Sequence, residues 1–142
     1  MRGVDPAAAE LERSSERWLA WLGEELARRQ TGSAVLALWD VLEEWFASDD
    51  FAGSAVAAAV VAPPDGRGPA AHAALVRHRQ ATRRLLEELA RSSGAHDPTA
   101  LAAQLLTLVE GAMAGALIDG NPGVARHARE LTQVALAASA RG

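Results

Sequence analysis

The residues able to do chemistry are four histidines and eighteen acids, and their spacing decides what they can do. His72 and His78 share a charged segment, but six residues of helix turn them about 240° apart, so they are poor co-ligands for one metal ion. His96 stands beside a loop and His127 on a second charged segment, both positions of surface histidines. The neighbouring acids Glu43-Glu44 and Asp49-Asp50 leave a helix in different directions and read as solvated faces, not as a carboxylate pair sharing a proton. Cysteine is absent, which excludes disulfides, thiolate metal sites and a cysteine nucleophile. There is no Gly-rich phosphate loop, no G-x-S-x-G turn and no H-E-x-x-H pair. The expectation is a non-enzyme with no metal and no cofactor.

Partner chemistry is constrained by charge. All 14 basic residues are arginine, the net charge is −4, and a broad basic footprint for nucleic acid is missing. The one basic stripe, Arg77, Arg84 and Arg91 with Arg79 and Arg83 beside it, faces glutamates at i+4, Glu87 and Glu88, and reads as a solvated, partly paired face. All aromatics lie between Trp18 and Phe51, with Trp18 and Trp21 placed to face Trp39, Trp45 and Phe46 across two helices. Large rings beside the Ala/Val-rich stretch that follows form either a closed core or an apolar ligand pocket, and composition is compatible with both.

Six helical segments must position these groups, in an all-α chain of 142 residues that fits one domain. The first spans Pro6 to Gln30, with Asp5 as cap, proline at the first position and Glu24–Arg28 and Glu25–Arg29 pairs. The second spans Ser33 to Ser48. The third, Gly53 to Ala62, is short and also compatible with a strand, and it stops at Pro63-Pro64. The fourth runs from Pro69 to Ser92 and ends at Gly94; the fifth opens at Asp97-Pro98 and ends at Ile118; the sixth follows Asp119-Gly120-Asn121-Pro122 and reaches Ala140. No segment offers the roughly 18–20 uninterrupted apolar residues of a membrane span, the nearest being Leu105 to Ile118 with Glu110 inside it. No signal peptide is evident, and a soluble, cytoplasmic protein is expected.

The last two segments carry 3.5-residue seams. Leu101, Leu105, Leu108, Ala112 and Gly115 step by four and three, as do Val124, Ala128, Leu131, Ala135 and Ala138. The fifth segment has a second apolar row, Leu106, Val109, Met113 and Leu117, so it can face its own core and another surface at once. A globule of about 14–15 Å radius is small for burying so much apolar helix, and pairing two copies through these helices would bury the excess. Gly111 and Gly115 would permit close approach; the alternative is that both seams are internal core.

The order Trp18-Leu19-Ala20-Trp21-Leu22, Leu38-Trp39-Asp40-Val41-Leu42-Glu43-Glu44-Trp45-Phe46 and Asp50-Phe51-Ala52-Gly53-Ser54 resembles the ligand-binding domain of tetracycline-repressor-like (TetR family) transcription regulators. His78-Arg79, Leu85-Leu86-Glu87-Glu88-Leu89-Ala90, Gly94-Ala95-His96-Asp97-Pro98, Leu101 through Ala112 and the closing Asp119-Gly120-Asn121-Pro122 continue that run, over roughly residues 10 to 140. The resemblance implies a six-helix, all-α domain whose last two helices form a dimeric four-helix bundle. It also implies an apolar pocket between the earlier helices for a small apolar or aromatic effector. Carried onto this chain, that pocket would draw on Trp18, Leu22, Trp39, Leu42, Phe46, Val56, Val60, Leu75, His78 and Met113, with His78 as its polar contact.

Two departures accompany the resemblance. Ser54 stands where many relatives carry Cys in a Phe-x-Gly-Cys sequence, and nothing before residue 10 resembles the family's three-helix DNA-reading head. This chain is therefore expected not to bind DNA directly, and to be the effector-sensing and dimerising part of a regulator. The alternatives are a natural headless relative that binds a ligand or pairs with a full-length partner, and a purely structural helical dimer.

Overall fold

The structure, a computed structural model, describes residues 4–29 and 32–140. It is all-α: α1 (Pro6–Arg28), α2 (Ala34–Phe46), α3 (Asp49–Ala52), α4 (Ala55–Val61), α5 (Pro69–Ser92), α6 (Pro98–Asp119) and α7 (Val124–Ala140). The described residues thus form seven helices where six were expected. The addition is the single turn α3, which Ser48 starts by accepting from the Phe51 N–H. The Ala/Val stretch is helix and not strand, because Ser54 caps it through the Ala57 N–H and Ser14 of α1 accepts the neighbouring Val56 N–H. Two of its orphan donors are satisfied before Pro63 ends the segment. Asp5 and Asp97 cap α1 and α6 as their positions before proline foretell, and Ser33, expected to be the first residue of the second helix, caps α2 instead. Gly120 closes α6 in the left-handed conformation, φ 65°, where a β-carbon would be strained. α1 stops at Arg28, and Gln30, expected to end it, lies outside the described residues.

The long helices follow one another around the core in the order α1, α5, α6, α7, α2, with α2 closing back on α1 and also touching α5 and α6. α4 fills the gap between α1, α5 and α6. α6 is the one described helix long and apolar enough to cross a membrane, and it packs instead between α5 and α7, with Leu101, Leu105, Leu106, Val109 and Met113 buried.

α2 determines which rings meet. Trp45 packs on Trp18 (ring centroids 5.4 Å), Trp21 (6.4 Å), Phe46 (5.7 Å) and Phe51 (4.7 Å). Trp39 does not join them: six residues before Trp45, it is turned about 240° around the axis and faces α7. There its indole N–H donates to the Thr132 hydroxyl at 2.7 Å, and that hydroxyl donates to the Ala128 carbonyl at 2.8 Å, all of it buried.

The surface ion pairs differ in detail from the expected ones. Glu25 pairs with both Arg28 and Arg29, and Arg29 reaches on to Glu44 at 2.6 Å. Glu87 and Glu88 are held by Arg91 and not by Arg83 and Arg84. Helix-to-helix pairs also form, Arg77–Glu12 between α5 and α1 and Arg126–Glu43 between α7 and α2. Exposed pairs of this kind are worth about 0–1 kcal/mol each and fix orientation more than stability.

Thr132→Val should strand the buried Trp39 donor and lower the unfolding free energy by about 1–3 kcal/mol in urea titrations. The Trp39→Phe/Thr132→Val double variant should lose less than the sum of the two single losses; strict additivity would show that the bond carries no coupling.

Candidate functional site

A polar cluster inside this apolar core spans α1 and α5. On α1 the buried row Leu11, Ser15, Trp18, Leu22 has a serine where a hydrophobic residue is expected, and on α5 the row Leu75, His78, Thr82, Leu86 has two polar residues. The two interruptions meet: the Ser15 hydroxyl lies 2.7 Å from His78 Nδ1. The Thr82 hydroxyl donates its only proton to the His78 carbonyl at 2.8 Å, so toward His78 Nε2, 3.5 Å away, it can act only as acceptor. The arrangement that uses every group has Ser15 donating to Nδ1 and an Nε2–H pointing at Thr82 over a distance long for a hydrogen bond.

Burial pushes the His78 imidazole down from its ordinary 6.5 to about 4; Glu110 opposes this and Arg79 adds to it. The ring is therefore neutral at pH 7. Trp18 covers it with ring centroids 5.5 Å apart. Although His78 touches a serine, the pair is buried and has no carboxylate hydrogen-bonded to the ring, so it lacks the third group that orients the base in a hydrolytic triad.

Trp18, Val60, His78 and Met113 come together as the expected pocket residues do, with Thr82, Leu106 and Val109 beside them. They enclose a crevice of about 10 Å³, near the lower limit for a single water. Trp18 is 7% exposed, and its indole N–H has no acceptor among the described residues. Arg79 closes the rim with a bidentate grip on Glu110, Nε–Oε2 2.7 Å and Nη2–Oε1 2.8 Å, linking α5 to α6. The Glu110 hydrogen bond holds the Arg79 guanidinium above its ordinary range. The other expected pocket residues do not line this crevice. Leu22, Leu42, Phe46, Val56 and Leu75 are buried elsewhere in the core, and Trp39 is turned to α7.

Ser15 and Thr82, not among the residues expected to form the site, are two of the three side chains in this polar network. Their signal was present, since each interrupts an apolar row at helical spacing.

The expected dimer seam divides three ways. Leu101, Leu105, Ala112 and Ala128 are buried in the protomer's own core; Leu108, Gly115, Val124 and Ala135 are half-buried; Leu131 and Ala138 are exposed. Gly115 is used internally, since a β-carbon there would come within 3.2 Å of Val124, whereas Gly111 has open space. The free face of α6 runs beside the seam, through Ala100, Ala103, Gln104, Thr107, Gly111 and Ile118, on the side away from the flanking α5 and α7. On α7 the free row is Leu131, Val134 and Ala138. Ile118 is 78%, Leu131 55% and Val134 67% exposed, and a groove of about 570 Å³ runs between the two helices past Leu108 and Leu131.

No family model, no curated protein and no solved structure matches this chain.

A folded-state histidine near 4 against 6.5 in the unfolded chain contributes stability that is whole above pH 6.5 and is lost as the pH falls toward 4. His78→Gln should remove this dependence. Between pH 6.5 and 4 the parent should lose on the order of 3 kcal/mol more than the variant in denaturant titrations. Parallel pH profiles would mean that His78 is not buried neutral.

Proposed function

We propose that this chain is a small-molecule-sensing and dimerising domain of the kind the tetracycline-repressor-like resemblance implies, and that it performs no catalysis. The observation that carries the reading is the crevice between α1, α4, α5 and α6. It is lined by Trp18, whose N–H has no acceptor among the described residues, and by His78, whose Nε2–H has only a distant one, together with Val60, Leu106, Val109 and Met113, while Thr82, Arg79 and Glu110 complete the wall. A buried donor without a partner costs roughly 1–3 kcal/mol, and a ligand that supplied the acceptor would recover it. The effector class that fits is an apolar, mostly aromatic molecule with one carbonyl or ether oxygen. The crevice must widen to admit it, since ligand sites for such molecules are roughly 300–1,000 Å³.

Dimerisation is the second half of the reading. The free face of α6 carries no charged side chain among Ala100, Gln104, Thr107, Gly111 and Ile118, and on α7 Leu131 and Val134 are exposed between the polar His127, Glu130 and Gln133. Exposed apolar area of this kind is the mark of an interface, and a second copy would present the same face. Both sites share α6: Leu106, Val109 and Met113 line the crevice, and Gly111 and Ile118 lie on the free face. Movement of α6 on effector binding would therefore reach the partner directly. Direct DNA binding is not part of the proposal, because Arg77, Arg79 and Arg91 are each engaged by glutamate.

Sedimentation equilibrium should give a dimer for the parent chain and a monomer of unchanged helicity for Leu131→Glu/Val134→Glu. A parent that stays monomeric at high concentration would remove the dimer from the reading. A thermal-shift screen of aromatic ketones and lactones should find compounds that raise Tm and alter tryptophan emission, with the effect abolished by Val60→Phe, which fills the crevice. Equal response in that variant, or no response from any compound, would overturn the sensing role.

A further inference from the structure

The exposed apolar side chains of this protein are gathered on one face. Of the five large hydrophobic residues exposed among the described residues, Ile118, Leu131 and Val134 lie on the α6–α7 side. α7 buries nothing after Thr132, although its second half carries Val134, Ala135, Leu136, Ala137 and Ala138. With 22 residues α6 is about 33 Å long, and two adjacent helices are about 20 Å wide. The face therefore offers on the order of 650 Å² in plan, close to the roughly 800 Å² per partner that a stable dimer buries. Resting on the dimer reading above, we propose its register. α6 runs antiparallel to α6 of a second copy, the two-fold axis passes at Gly111, and Ile118 of each copy enters the groove of the other beside Gln104.

At 3.6 residues per turn, Gln104, Thr107 and Ile118 all lie within about 40° of Gly111, so they form one straight row along α6. Gly111 is where two backbones can approach most closely. A β-carbon there would meet nothing within 4 Å, whereas one at Gly115 would press on Val124 at 3.2 Å. Gln104 and Ile118 stand about 10 Å to either side of Gly111 along the axis. A two-fold axis at Gly111 thus lays Ile118 of the partner subunit over Gln104, where the groove of about 570 Å³ lies open between Thr107, Leu108, Leu131 and Val134. Other pairings waste this match. Parallel helices would set Ile118 against its own copy and leave both grooves empty. An axis one turn earlier, at Thr107, would carry Ile118 to the level of His96, before α6 begins, and would press two branched side chains together at the crossing.

The chain has no cysteine, so single cysteine substitutions report the register directly. Under mild oxidation Gly111→Cys should form a disulfide-linked dimer by itself, because position 111 meets its own copy at the axis and a disulfide needs Cα atoms within about 7 Å. Gln104→Cys and Ile118→Cys should each fail to link alone, and should link when the two are mixed and left to exchange. Gly111→Phe, whose side chain has open space in the protomer, should keep its helicity and weaken the dimer at least about tenfold in sedimentation equilibrium. A parent chain that stays monomeric would overturn the dimer reading and the register with it. A dimer in which Gly111→Cys does not link, the mixed pair does not link, Ile118→Cys links to itself, or Gly111→Phe has no effect would overturn the register alone.

Discussion

The structure depends on the burial of α2 on nearly every side. Seven of its 13 residues, Val35, Leu38, Trp39, Val41, Leu42, Trp45 and Phe46, are buried, and the helix touches α1, α3, α5, α6 and α7. Full burial of one such side chain contributes about 1.5–3 kcal/mol, so this helix is the largest local source of apolar stabilisation and the other helices must wrap it. Its two tryptophans divide the molecule. Trp45 gathers Trp18, Trp21, Phe46 and Phe51 on one side, and Trp39 fastens α7 on the other through Thr132. The first side borders an open outer cleft, lined by Trp18, Trp21 and Trp45, and the second is a closed core.

Packing of alanine and leucine alone leaves helix rotation loosely specified, and the polar residues set inside apolar rows correct this. Ser14 fixes where α4 begins, Ser15 sets the rotation of α5 through His78, and Thr132 sets that of α7 through Trp39. Each bond is satisfied only in one register, and breaking it leaves a buried group unpaired at a cost larger than the bond's net gain. The same logic that locks α1 against α5 places a neutral imidazole and an unpartnered indole N–H beside the crevice, so register control and binding chemistry use the same residues.

What could be read from the sequence followed from whether the relevant physics is local. Caps and stops were legible, because Asp5-Pro6, Asp97-Pro98 and Gly94 act within a turn of themselves. Periodicity indicated helix for the long segments, whereas the short Ala/Val stretch was equally compatible with a strand until its caps were placed. Phase relations between helices were not legible. Periodicity indicates that Trp39 and Leu105 are buried but not which neighbour buries them, so Trp39 left the expected pocket and Leu101, Leu105 and Ala112 left the expected seam for the interior. The one-turn α3 was hidden because four residues carry no period. The Ser15–His78 contact was readable in principle: two polar interruptions of apolar rows on long helices must either find each other or stay unsatisfied.

Of the walls around the crevice, α4 is the one that can yield at least cost. Its seven residues are too few to be stable as an isolated helix, and its ends are fastened by the Val56 N–H to Ser14 and by Arg67 donating to the Ala59 carbonyl. α1, α5 and α6, by contrast, have 23, 24 and 22 residues and are tied by Arg77–Glu12 and Arg79–Glu110. A molecule entering beside His78 would therefore displace Val60 and its short helix before it could part the long ones. α4 begins just after Gly53 and Ser54, which line the outer cleft. The two spaces are separated by the Trp18 indole, with Gly53 and Ser54 on the side of the outer cleft and Val60 of α4 on the side of the crevice.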